Sequence, residues 1–124
     1  MRREVLHGSV SLERCAGYIK VWHTRSARTA SEAKLVCEAM DDAMKEWSLN
    51  RLLFDSRDAD ETPKEVGALI WGWMTEHPTL ERVATVVHSK ELADSVNIRG
   101  VGKELRIRSF SASPAAIRWL TLLG

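Results

Sequence analysis

The chain has 124 residues, 44% of them hydrophobic and 28% charged, a balance that excludes both a disordered polymer and a membrane-embedded bundle. Its 18 Lys and Arg stand against 17 Asp and Glu, a net charge of +1, so nothing in the totals argues for nucleic acid as a partner. A chain of this length can hide roughly two-thirds of its unfolded surface around one core, so residues 1–124 read as a single domain.

Taken in order, the chain opens with two strand-like pieces, Glu4–Leu12 and Gly17–Thr24, around the turn-prone "ERCAG". Their short connection predicts an antiparallel hairpin. In "YIKVWHT", Ile19 and Val21 fall on one side and Lys20 and Trp22 on the other, as in a strand partly covered on both faces. The first long helix follows in "TASEAKLVCEAMDDAMKEW". Thr29 and Glu32 have capping-box spacing. Ala33, Val36, Cys37, Met40, Ala43, Met44 and Trp47 recur at helical spacing and predict its buried stripe.

"RLLFDS" is an apolar run of strand length, expected at the centre of the sheet because both faces are apolar. A second helix should open at "TPKE", with Thr62 as cap and Pro63 at the first helical position. Val66, Leu69, Ile70, Trp73 and Met74 are its expected stripe. Trp71, two residues from Trp73, must point elsewhere, either onto a neighbouring element or onto an exposed apolar patch. Gly72 between them would admit close approach of another backbone or an acyl chain.

"RVATVVHS" predicts another strand and Ser89 the cap of a third helix, weakened after Asn97 by Gly100 and Gly102. "LRIRSFSA" and "SPAAIRWLTLLG" close the pattern as strand and helix, the latter with Ser113 as cap and Pro114 inside it. The order β-β-α-β-α-β-α-β-α is that of an α/β fold with a mixed, mostly parallel sheet. The hairpin supplies the antiparallel N-terminal edge.

Three stretches resemble the STAS domains of anti-sigma-factor antagonists, and more closely their single-domain SpoIIAA-like bacterial relatives. "RLLFDSRDADET" is similar to the central strand ending in an aspartate before a helix, "RVATVVHSKELADS" to the next strand and helix, and "LRIRSFSASPAAIRWL" to the closing pair. The resemblance implies a non-catalytic bacterial domain that works by binding a protein partner or itself as a homodimer. The expected surface is Trp71, Gly72 and Trp73 together with Asp55, Ser56 and Asp58. The alternative it implies is a carrier of a small hydrophobic ligand, since the single-domain relatives resemble the CRAL-TRIO fold. A pocket lined by Ile70, Trp71 and Val96 would mark that carrier.

Regulatory members carry a phosphorylated serine within Asp-Ser-Ser-Gly at the start of the helix after this strand. Here Ser56 and Thr62 are the nearest phosphoacceptor hydroxyls. Ser56 stands early, and Asp58, Asp60, Glu61 and Glu65 would crowd a phosphate with like charge.

Other chemistry finds little support. Asp55, Asp58, Asp60 and Glu61 favour turns as readily as they favour a hard cation, so no metal or other cofactor is expected. His23 and His88 each close an apolar strand, and with Asp55 they would make an acid–base cluster only if all three converged. Gly100 and Gly102 beside Arg99 and Lys103 read as a helix exit and turn. The two cysteines, Cys15 and Cys37, have no metal or redox spacing and read as reduced thiols. No stretch approaches the ~20 apolar residues of a membrane span, and no secretory signal is evident. A cytoplasmic location is the expectation.

Overall fold

The computed structural model describes residues 1–57, 62–91, 94 and 106–122. Six strands form one sheet in sequential order: β1 (Arg2–Val5), β2 (Val10–Cys15), β3 (Tyr18–His23), β4 (Arg51–Asp55), β5 (Arg82–Val86) and β6 (Ile107–Phe110). The first two pairings are antiparallel, and β3 through β6 run parallel. The antiparallel edge and mostly parallel remainder match the sequence-based expectation.

The N-terminal piece differs in detail. It is two strands, not one across Glu4–Leu12, because Leu6, His7 and Gly8 take left-handed φ of 54°, 57° and 84° and reverse the chain. Ser9 fastens that turn by donating both its amide and its hydroxyl to the Leu6 carbonyl. The following turn also lies later than "ERCAG" suggested. Strand β2 runs on through Cys15, and Gly17 at φ 88° makes the reversal.

Helix α1 (Ala30–Trp47) follows its local signals closely. Thr29 Oγ1 accepts from the Glu32 amide at 3.2 Å, and all seven residues of the expected stripe are buried. The Glu32 carboxylate reaches back to the Arg28 amide at 2.8 Å, one residue before the cap. Helix α2 (Lys64–Glu76) departs from expectation at its start. Pro63 is the cap residue and no side chain caps the helix, because the Thr62 hydroxyl is 2.8 Å from Ser26 Oγ instead. Only Val66 and Met74 of α2 are buried, whereas Leu69, Ile70 and Trp73 are half-buried against the core.

The C-terminal helix, α3 (Ser113–Leu120), is preceded by Ala112 as its cap residue. Ser113 is already helical and makes no capping bond, so Pro114, expected at the first helical position, is the second residue of the helix. Lys90 and Glu91 are helical. Apart from Asp94, the remainder of the helix expected after Ser89 lies outside the described residues, as does the weak passage from Asn97 to Gly102.

Alternation along β4 divides the core. Leu52 and Phe54 join the cluster with α1 and α2, while Leu53 packs with Ala116 and Leu120 of α3. Helices α1 and α2 therefore cover one face of the sheet, and α3 covers β4, β5 and β6 on the other. Among the described residues, no helix is long and apolar enough to cross a membrane.

Candidate functional site: a pocket beneath the second helix

Under α2, at the carboxyl ends of β3, β4 and β5, lies a pocket of about 300 Å³. In open α/β sheets this end of the strands is where ligands are held. Val10, Val21 and Phe54 form its floor, Val36 of α1 flanks it, and Ile70, Trp71 and Met74 of α2 form its wall. The sheet supplies the floor because Val10, Val21 and Phe54 all sit on the α1/α2 face. Trp71 thus takes the first of its two expected positions, packed against the core cluster, and it lines the pocket as well. Val96, named with it at the sequence level, lies outside the described residues.

Hydroxyls and one imidazole make the polar part of the lining. His23 Nε2 is 3.1 Å from Ser56 Oγ, joining the ends of β3 and β4. Ser26, only 2% exposed, pairs with Thr62. Thr85 Oγ1 lies 2.6 Å from Ser109 Oγ across β5 and β6.

Asp55 sits at the same strand end but on the other face, as its position after Leu53 and its register with Trp22 require. It is 2% exposed, and Arg57 donates to both its oxygens, at 2.9 and 2.8 Å. Those hydrogen bonds hold its carboxyl below the ordinary 3.8 against the opposing effect of burial, with a smaller contribution from Lys20. Asp55, Ser56 and Trp71 are therefore close in sequence or space, yet Asp55 faces away from the cavity that Ser56 and Trp71 line. Asp58 lies outside the described residues.

The acid–base cluster of His23, His88 and Asp55 does not assemble. His88 is exposed, and Asp55 is held by Arg57 on the far face. A serine next to a histidine invites comparison with an acyl-transfer dyad, but the two described amides at Ser56 and Arg57 are engaged. Ser56 N–H donates to Val86 O and Arg57 N–H to Asp55, so neither is available to a developing oxyanion. Among the described residues, no three His, Cys, Asp or Glu could hold a metal. Cys15 and Cys37 are both free. Burial, then Asp41 and Glu38, pushes the Cys37 thiol up to about 11, where little reactive thiolate forms.

A larger recess, about 690 Å³, opens at the opposite end, between the C-terminal turns of α1 and α2. Its imidazole is engaged on both sides. His77 Nδ1 accepts from the amides of Thr79 and Leu80, leaving Nε2 as donor to Asp41 at 2.7 Å. Trp73 stacks edge-on with His77 at 4.9 Å and points its indole N–H at Asp41. This network closes the end of α2, and size alone does not make the recess a site. Among the described residues, Gly72 has nothing within 4 Å of where a Cβ would stand, so no close approach among them requires a glycine there.

No family model and no curated protein matches the sequence. Solved structures do match the fold, and two of them are informative. One is an uncharacterised DUF3478-family protein with a SpoIIAA-like fold from Shewanella loihica, at a TM-score of 0.66 and 13% identity over 90% of this chain and 91% of that one. The other is the anti-sigma factor antagonist SpoIIAA in its unphosphorylated form, at 0.62 and 12% identity over 91% of this chain and 99% of that one. The fold is SpoIIAA-like. At such identities the similarity establishes the SpoIIAA-like architecture and leaves the site to be argued from its own residues.

Proposed function

We propose that this SpoIIAA-like domain is a non-catalytic binding protein, and that its ligand is a small, mainly apolar molecule held beneath α2. The observation that carries the reading is the pocket itself. Ile70 and Trp71 form a wall over Val10, Val21 and Phe54 at the carboxyl end of the strands. The engaged amides around Ser56 argue for binding over acyl-transfer chemistry. Native mass spectrometry on protein purified from its own host tests the reading, with a Gly67→Leu variant beside it. Gly67 lines the pocket, and a Cβ there meets only Thr62 Cγ2 at 3.9 Å, so a larger side chain can enter the cavity without backbone strain. The expected result is a small hydrophobic mass on the parent chain, lost on gentle denaturation and missing from Gly67→Leu. Protein free of any such mass, and unable to take one up, would sink the proposal.

A second reading has its own support. Helix α2 leaves Leu69, Ile70, Trp71 and Trp73 half-exposed around the open Gly72, a surface suited to a protein partner or a second copy of the chain. The similar SpoIIAA structure carries the name of an anti-sigma factor antagonist, which favours a protein-facing role. A clean dimer or a co-purified protein without a small mass would favour this reading. Phosphorylation of Ser56 or Thr62 belongs to it, and each hydroxyl is already hydrogen-bonded, to His23 and Ser26 respectively.

A further inference from the structure

We infer that the pocket beneath α2 selects an uncharged amphiphile of about ten non-hydrogen atoms, such as an alcohol, ketone or amide on a short apolar body. It rejects carboxylates, phosphates and ammonium groups. This inference rests on the pocket reading and narrows it.

Size comes first. A cavity of about 300 Å³ holds about ten atoms at roughly 30 Å³ each. That is enough for a single ring or a short chain, and too little for a long acyl tail. Charge comes second. None of the described lining residues is Lys, Arg, Asp or Glu. The nearest carboxylate along the chain, Asp55, is turned to the opposite face and already paired with Arg57. Among the described lining residues a full charge would find only the His23 imidazole, already paired with Ser56, and would lose its water for little return.

The polar lining meets neutral groups well. Ser26, Thr62 and Ser56 are hydroxyls, each able to donate once and accept twice, so they can face a ligand donor or acceptor equally. Ser26 is only 2% exposed and already bonded to Thr62, so the more accessible Thr62 and Ser56 are the hydroxyls that meet a ligand.

Methyl-labelled full-length protein, titrated by NMR at pH 8, tests the inference. The probes are octan-1-ol, octanoate and octylammonium, identical in chain length. Octan-1-ol should shift the methyls of Val10, Val36 and Ile70, and bind at least about tenfold more tightly than either ion. The Gly67→Leu variant, which fills the cavity, should show no such shifts. Octanoate or octylammonium binding as tightly as the alcohol would overturn the selectivity while leaving the pocket intact. Shifts that persist in Gly67→Leu would place the binding elsewhere and overturn it too. Failure of all three probes would remove the pocket reading and this inference together.

Discussion

Arginines at the starts of strands close the ends of helices. Arg82 Nη1 donates to the carbonyls of Trp119 and Leu122, and Arg51 to those of Leu120 and Leu122, gathering the last carbonyls of α3. Arg106 does the same for α2, donating to His77 O at 2.7 Å. Each places a cation where the helix dipole is negative and satisfies carbonyls that the helix cannot. Arg106→Met should lower stability by about 1.5–3 kcal/mol in urea unfolding, the range for a hydrogen bond to a charged group. Asp55 yields a pH prediction with a definite sign. Its folded value is held below 3.8 by Arg57, so its contribution is fully present above 3.8 and lost as pH falls through the lowered value. The urea midpoint should drop on acidification below about pH 4, less steeply in Asp55→Asn.

The arginines at strand starts were not read in the sequence as helix-closing groups, and neither was the partner of Thr62, whereas the cap of α1 was. Thr29 and Glu32 are three residues apart, so local spacing revealed their bond. Thr62 meets Ser26, 36 residues away, and no local pattern carries that.

At the scale of elements, α1 and α2 contrast. Every apolar residue expected inside on α1 is buried, because the helix lies flat on the sheet and its period alone decides the outcome. The same period on α2 overstated burial, since the helix stands over a cavity and its stripe faces partly empty space. Periodicity tells which residues share a face, and it says nothing about whether the opposing surface is filled. The N-terminal strands failed differently. Leu6 and His7 adopt left-handed φ, which side-chain type does not advertise, so two strands read as one. Gly72 gives a direct test of α2. With open space at its Cβ position, Gly72→Ala should raise stability by roughly 0.5–1 kcal/mol in thermal or urea unfolding. A loss of stability would mean that the position is tighter than it looks.

At the scale of the molecule, the order of the described elements from β3 onward was legible because those strands and helices carry their own punctuation. The expected sheet, with its antiparallel edge and parallel body, followed from that order. What the pattern could not give was the distribution of weight between the two faces. One face carries α1 and α2 over the pocket. The other carries α3 over β4, β5 and β6, leaving a charged recess of Arg2, Glu13 and Lys20 on the hairpin side. A pocket arises from a mismatch between apolar surfaces, and a sequence records the surfaces without the mismatch.

The light attachment of α2 also has a meaning in time. Seven buried residues and a capped first turn hold α1, but only Val66 and Met74 are fully buried on α2, and no side chain caps its start. A helix so fastened should detach more often than its neighbour, through openings far smaller than global unfolding. Amide hydrogen exchange should therefore run faster along residues 64–76 than along residues 30–47. Uniform protection of both would contradict this. A molecule lodged beneath α2 should slow that exchange, so the wall of the pocket would also serve as its door.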